Sequence, residues 1–309
     1  MHSTAGQTVS IVVTTYNRAT LLARCVDALL DQEGAPPYEI VVVDDGSTDA
    51  TPQLAQLADP RVRYLAIPHG GRAAARNAGL AAARGEILIY VDSDVFVVPG
   101  FVAAHVEALR GVEGPAFSQG VSVDVVAPVS PRDPQVPVRD LSRAFFDTKN
   151  VALATRLAAE AGGFSPEFTE YGWEDLELGL RLKDRKVQRV RAKAAVGFHY
   201  HPPFDLAKMA QHARLEEERG RMGARFFKMR STWEVRLMVG LTPLHAAACW
   251  LMTAGGRRED GAWPWLVRFL EKRPGLAGAL VPGLLFPRGR QALLAELDRA
   301  ALDPAALAP

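Results

Sequence analysis

The chain has 309 residues, a formal net charge of +1, 48% hydrophobic and 23% charged residues. This is ordinary globular composition, with no electrostatic case for nucleic acid as the main partner, and the length suits one large α/β domain with an appendage or two domains. The charge is uneven, because residues 202–309 hold 16 Lys+Arg against 11 Asp+Glu, a net +5, which leaves −4 for residues 1–201. Cys25 and Cys249 lie far apart in apolar, helix-like segments and fit neither a metal spacing nor a disulfide framework. Residues 1–8 lack a charged start followed by an apolar stretch, and no window offers ~18 uninterrupted apolar residues, so no signal peptide or spanning helix is expected and the cytoplasm is the expected location.

In chain order, the β-branched run Val9 to Val13 reads as a strand that ends in the polar loop Thr14-Thr15-Tyr16-Asn17-Arg18. From Ala19, Leu21, Leu22, Cys25, Val26, Leu29 and Leu30 recur at helical spacing until Gly34, Pro36 and Pro37 close the segment. A second strand, Ile40 to Val43, meets Asp44-Asp45-Gly46-Ser47-Thr48-Asp49, turn chemistry that also caps a further helix where Thr51 precedes Pro52. Val62 to Ile67 is a third strand, Gly71 to Arg84 an Ala-rich helix, and Ile87 to Val91 a fourth, buried strand. Strand and helix alternate throughout. That alternation predicts a largely parallel central sheet covered by helices on both faces.

After Pro99 a helix runs to Leu109. Val121 to Val125 alternates like a strand, but Pro128, Pro131, Pro134 and Pro137 mark a loop that pairs poorly in a sheet, the kind of loop that serves as a lid near active sites. Asn150 to Ala154 is a short strand, Arg156 to Ala161 a helical turn and Glu174 to Lys183 a firmer helix. Beyond a strand at Val196 to Tyr200 the chain is mostly helical.

Chemistry concentrates at strand ends. Asp92 and Asp94 stand one residue apart where a buried strand leaves the sheet, and in open α/β sheets the ligand crevice lies at the carboxyl ends of strands. Two such carboxylates suit Mg²⁺ or Mn²⁺, which bind through one or two acids plus substrate phosphates. A solvated turn is the bland reading of the pair. Asp45 can accept a hydrogen bond from a base N–H, or it can cap a helix with Asp44. Arg72 opens the Ala-rich helix beside free backbone N–H groups that favour phosphate, and Arg76 follows one turn later on the same face. Glu174-Asp175 is a second acidic pair, suited to general-base work or to the first turn of a helix, and Trp173 before it offers a surface for a sugar ring. His199 and His201 share a strand face around Tyr200.

These segments together resemble glycosyltransferase family 2, of the GT-A fold: Ser10-Ile11-Val12-Val13-Thr14-Thr15-Tyr16-Asn17-Arg18, Val41-Val42-Val43-Asp44-Asp45-Gly46-Ser47-Thr48-Asp49, Gly71-Arg72 with Ala75-Arg76-Asn77, Asp92-Ser93-Asp94, and Gly172-Trp173-Glu174-Asp175-Leu176-Glu177-Leu178. The resemblance runs over residues 9–201 and implies an inverting sugar transfer from a nucleotide diphosphate sugar, assisted by a divalent metal. It implies a GT-A, Rossmann-like domain over 1–203, with a nucleotide-sugar half at about 9–98, an acceptor half at about 115–203, and a helical extension over 204–309. By resemblance Thr14, Thr15, Tyr16, Asp45, Arg72, Arg76, Asp92 and Ser93 serve the donor, with Asp45 contacting uracil. Asp94 with His199 or His201 holds Mn²⁺ or Mg²⁺. Asp175 is the catalytic base, while Glu174 and Trp173 bind the acceptor.

A nucleotidyltransferase is the rival enzyme, disfavoured by the lack of a Gly-rich triphosphate loop; a catalytically silent nucleotide-sugar-binding scaffold is the rival from another class. In residues 204–309, Phe226, Phe227, Trp233, Trp263, Trp265 and Phe269 are interspersed with Arg225, Lys228, Arg236, Arg268, Lys272 and Arg273. Basic amphipathic helices of this kind lie in a membrane interface, cover a core or pair with a second subunit. The expected partners are therefore a nucleotide diphosphate sugar and a glycan or lipid-linked acceptor, with peripheral attachment to the inner face of the cell membrane or a homodimer as roles for the tail.

Overall fold

The computed structural model describes residues 8–136, 145–202 and 205–301. The expectations for the first seven residues and for Pro137 lie outside the described residues. The described residues divide into two compact units, one of residues 8–136, 145–166 and 174–202 and one of residues 167–173 and 205–301.

The first unit is built on β1 (Val9–Thr15), α1 (Ala19–Leu30), β2 (Tyr38–Asp44), β3 (Val62–Ala66), α2 (Gly71–Ala82), β4 (Ile87–Asp92), β5 (Val95–Val97) and α3 (Phe101–Leu109). β6 (Ala116–Val125), β7 (Asn150–Ala154), α4 (Thr155–Glu160), α5 (Glu174–Asp184) and β8 (Gln188–Tyr200) complete it. One eight-stranded sheet runs β3-β2-β1-β4-β7-β6-β8-β5. β1 pairs in parallel with β2 and β4, β2 with β3, and β6 with β8, whereas β7 is antiparallel to both its neighbours and β5 is antiparallel to β8.

Alternation along the strands sorts side chains onto two faces. Val9, Ile11 and Val13 of β1 join Ile40, Val42, Ile87, Ile89 and Val91 in a core with Leu22, Cys25, Val26 and Leu29 of α1 and Phe101, Val102 and Val106 of α3. The intervening residues face α2, which approaches so closely that a Cβ on Gly79 would stand 2.3 Å from Val12 Cγ1. Only glycine permits that helix-to-strand distance.

The helix expected after Thr51 is two short 3₁₀ turns, Thr51–Gln53 and Ala55–Ala58. Pro52 and Pro60 bracket too few residues for an α-helix, and Asp49 satisfies the first turn by accepting from Thr51 N at 3.0 Å and Thr51 Oγ1 at 2.5 Å. The described part of the proline loop is held at Arg132, whose guanidinium reaches Asp31 Oδ2 at 2.5 Å and Glu33 Oε1 at 2.8 Å. Exposed pairs of this kind contribute about 0–1 kcal/mol each, a light anchor.

The second unit carries α6 (Met209–Met229), α7 (Trp233–Met238), α8 (Pro243–Met252), α9 (Pro264–Glu271) and α10 (Pro274–Ala301). α6 and α10 cross at two glycines, where a Cβ on Gly220 would lie 1.9 Å from the Gly289 carbonyl oxygen. Trp233–Met252 has a mean hydropathy of 1.3 and is long and apolar enough to cross a membrane by length and composition, but it is folded as two helices, α7 and α8.

Candidate active site

β1, β2 and β4 end together, with Thr14 in register with Asp92 and Thr15 with Asp44. The loops that follow share one hydrogen-bonded frame. Asn17 N donates to Ser47 Oγ at 2.8 Å, Thr48 N donates to Asn17 Oδ1 at 2.7 Å, and Asp45 N donates to the Thr15 carbonyl at 2.9 Å. Asp44 is buried support, accepting from Ser47 N at 2.8 Å and from the Tyr64 hydroxyl at 2.5 Å. Asp45 is also buried, and its two oxygens accept from Gly70 N at 2.8 Å and Gly71 N at 3.0 Å. It thereby ties the end of β2 to the start of α2. His69 Nδ1 stands 2.9 Å from Asp45 Oδ2, and its ring stacks on Tyr16 at 4.3 Å between centroids. Tyr16 and His69 form a partly open aromatic wall beside Asp45.

Arg76 joins Asp92 at the end of β4 to Glu174 at the start of α5. Its guanidinium, 3% exposed, donates through Nη2 to Asp92 Oδ1 at 3.1 Å and through Nη1 to Glu174 Oε1 at 2.7 Å, and it lies 5.6 Å over the Phe164 ring. The expectation that Arg76 faces donor phosphate needs correction, because both ends of its fork are engaged by carboxylates inside the protein. The next residue repeats the theme. Asn77 Nδ2 donates to the Phe164 carbonyl at 2.7 Å and Asn77 Oδ1 accepts from Phe164 N at 2.8 Å. Arg72 is exposed in the first turn of α2.

α5 opens with Glu174, Asp175 and Glu177 in its first turn, where the helix dipole favours acids. Glu177 pairs within the helix with Arg181 at 2.7 Å. Surrounding protein and the neighbouring Glu174 carboxylate push Asp175 up to about 7, against the opposing pull of Arg76. A carboxylate so poised takes and releases protons near neutral pH. Trp173 lies in the second unit. Its indole Nε1 donates to the Arg219 carbonyl at 2.7 Å, Arg219 lies 4.8 Å over the ring, and the residue is 9% exposed. In place of an open sugar platform, the structure shows a packed indole, held with a positive φ of 75° that a bulky residue rarely adopts.

Asp94 follows β4 and sits against the end of β8. Arg18 Nη1 contacts Asp94 Oδ2, His199 Nε2 lies 3.5 Å from Asp94 Oδ1, and that buried Oδ1 has no hydrogen-bond partner. Burial raises Asp94, but His199 and Arg18 outweigh it and hold the carboxyl down at about 2. Burial likewise lowers His199, yet Asp124 and Asp94 overcome it and raise the ring to about 9. Asp124, His199 and His201 present ligand atoms within 4.8 Å of one another. An orphaned carboxylate oxygen beside an imidazole nitrogen, with a guanidinium as the local cation, fits a divalent metal whose neighbouring ligands stand about 3 Å apart when its bonds are about 2.1 Å. Of the residues expected at the metal, Asp94 and His199 lie together, and the His201 ring stands 4.0 Å from that of His199 between centroids. Ser93 between the two acids is buried.

Arg18, His69, Asp124 and the Lys149–Asp147 pair, 3.0 Å apart, are site-side groups that sequence patterns did not single out. The coulombic neighbours of Lys149 include Asp147, Asp124 and Asp92.

Residues 10–135 match the family described as Glycosyl transferase family 2. The chain is 31% identical over 217 residues to validoxylamine A glucosyltransferase of Streptomyces hygroscopicus subsp. limoneus, covering 56% of this chain and 47% of that protein. It is 26% identical over 238 residues to chondroitin synthase of Escherichia coli, covering 63% of this chain and 35% of that protein. The chain thus spans about half or less of the length of these relatives. Among solved structures, it is similar in fold to the mannosyltransferase PcManGT from Pyrobaculum calidifontis in complex with GDP-Man and Mn²⁺, with a TM-score of 0.59, 19% identity, and coverage of 94% of this chain and 86% of that one. GalNAc-T7 with UDP, GalNAc and Mn²⁺ aligns with a TM-score of 0.54 and 15% identity over 72% of this chain and 48% of that one. Over residues 10–135 the chain matches the glycosyl transferase family 2 model, and its fold is that of GT-A glycosyltransferases.

Proposed function

We propose that the protein is an inverting, metal-dependent glycosyltransferase that moves a sugar from a nucleotide diphosphate sugar, a UDP-sugar first, to a hydroxyl of a glycan or lipid-linked acceptor. The observation that carries this reading is the Arg76 bridge, which fixes Asp92 at the end of β4 and Glu174 at the start of α5 in one buried network, with Asp175 beside it at about 7. Donor-side and base-side acids are thereby preorganised together.

The reaction is a single displacement. Asp175 accepts the proton of the acceptor hydroxyl, the acceptor oxygen bonds to the anomeric carbon, and the bond from that carbon to the diphosphate oxygen breaks with its electron pair leaving on the nucleoside diphosphate. Attack opposite the leaving group inverts the anomeric centre. Glu174 orients acceptor hydroxyls through the oxygen that Arg76 leaves without a partner. Tyr16 and His69 bracket the base, Asp45 keeps their loops in place, and Thr14, Thr15, Ser93 and Asp92 line the donor side. Arg72 meets the diphosphate at the start of α2, and Arg76 serves as a positioning residue. Asp94 with His199, or His201, would hold Mn²⁺ or Mg²⁺, whose chemistry when bound is to stabilise negative charge on the departing diphosphate.

The second unit exposes Trp233, Leu244, Trp250, Leu251, Trp265 and Phe269 together with Arg236, Arg268, Lys272 and Arg273. Such a surface suits peripheral attachment to an anionic membrane. Homodimerisation through the same side chains is the competing use.

The test is a panel of nucleotide sugars and acceptors with Mn²⁺ or Mg²⁺, scored for diphosphate release and, by NMR, for anomeric configuration. The reading requires transfer with inversion. Nucleotide binding with no transfer on any pair would favour a scaffold, and retained configuration would remove the single displacement.

A further inference from the structure

The parallel pairing of β6 and β8 sets Asp124 directly opposite His199. The two residues are 75 apart in sequence, so only the sheet register brings them together. His199 Nδ1 lies 3.1 Å from Asp124 Oδ1, while the other ring nitrogen, Nε2, points to Asp94 Oδ1 at 3.5 Å. One imidazole is thus held between two carboxylates of different kinds. Asp124 is largely exposed at the end of β6, whereas Asp94 is buried and its Oδ1 lacks a hydrogen-bond partner. His201, one residue past the end of β8, directs Nε2 to the same Asp124 oxygen at 3.3 Å and is about half exposed.

A neutral imidazole that binds a metal through one nitrogen carries its proton on the other, and a carboxylate at that proton fixes both the tautomer and the ring plane. The geometry points to Asp124 as a positioning residue: it takes the Nδ1 proton of His199 in a hydrogen bond and so turns the Nε2 lone pair toward Asp94, making His199 rather than His201 the imidazole ligand of a divalent cation. This inference rests on the metal-dependent reading above and adds a residue to it. His201 then acts on Asp124 from its outer side, and its share in cation binding is indirect. The backbone holds the arrangement in place, since Tyr200 N donates to the Asp94 carbonyl at 2.9 Å and His201 N donates to the Val125 carbonyl at 2.8 Å, one bond on each side of the imidazole. β8 is thereby clamped both to the residue that supplies the buried carboxylate and to the strand that supplies the exposed one.

The experiment is calorimetric titration of the full chain with Mn²⁺ alone, without donor, for wild type, Asp124→Asn, Asp124→Glu and His199→Ala. It is paired with ¹⁵N NMR of the histidine rings, which reports the tautomer. Loss of an outer carboxylate typically weakens metal affinity by about 10- to 100-fold. Asp124→Asn is therefore expected to bind Mn²⁺ about 10- to 100-fold more weakly, with His199 losing its single Nδ1–H tautomer, and Asp124→Glu to recover part of the affinity. His199→Ala is expected to fall at least as far. If wild type binds Mn²⁺ and Asp124→Asn binds it equally well with an unchanged His199 tautomer, the positioning role is overturned while the metal reading stands. If wild type itself binds no Mn²⁺, both fall.

Discussion

At the scale of single residues, the proposed base Asp175 is expected to set the pH dependence. A general base works only when deprotonated, and a carboxyl raised to about 7 is mostly protonated below that pH. Turnover is therefore expected to rise with pH along a limb centred near 7, and steady-state rates between pH 5 and 9 check it. Arg76 lowers Asp175, so Arg76→Met should move that limb to higher pH. The same substitution strips a buried guanidinium from two carboxylates, a loss that costs about 3–5 kcal/mol, measurable by urea unfolding. Arg76→Lys should recover the charge without the two-pronged geometry. Asp92, Asp94, Glu174 and Asp175 were legible in the sequence because each sits at the end of a strand or helix with a clear local pattern. Asp124 and His69 were not. Val123-Asp124-Val125 reads locally as an ordinary half-exposed strand, and its chemistry comes from His199 across the sheet. Arg76 showed its helix position but not its partners, since a helix face says nothing of what the second acidic block brings against it.

At the scale of elements, apolar and β-branched strands announced themselves, while the mixed ones hid. β7 was legible residue for residue, and α1 was legible at its start. The first half of β8 carries Arg189, Arg191 and Lys193, which break the apolar pattern, and its partner, the first half of β6, is interrupted by Ser118, Gln119 and Gly120. β5 is three residues long and exists because β8 offers it an antiparallel edge. The turn after Thr51 failed as a helix because prolines leave it no room. In the second unit, the α6–α10 crossing depends on paired glycines. Gly220→Ala inserts a methyl against the Gly289 carbonyl and should destabilise that unit by about 1–3 kcal/mol, read as a lowered midpoint in the thermal or urea transition. Asn77→Ala removes two reciprocal bonds to the Phe164 backbone and leaves a buried N–H and carbonyl unpaired, with an expected loss of about 1–3 kcal/mol each.

At the scale of the whole molecule, two kinds of chemistry share one chain: a group of acids and aromatic rings at the strand ends of the first unit, and exposed tryptophans with arginines on the second. The first was readable because family motifs fall at strand ends. The second was readable only as composition, since helix periodicity in short, proline-broken pieces does not say which faces remain open. If the second unit meets an anionic membrane, the protein should float with phosphatidylserine vesicles at low salt and release as salt rises, and Trp250→Ser with Trp265→Ser should weaken flotation. Unbound protein that sediments as a dimer would assign those side chains to a subunit interface. The central claim, that Asp175 is the base of a sugar transfer, is tested most directly by measuring the transfer rate and the donor affinity of wild type and Asp175→Asn on the same preparations. General-base catalysis is worth about 10²- to 10⁴-fold, so the account predicts a fall of that size with nearly unchanged donor affinity; equal transfer rates in the two folded proteins would contradict it.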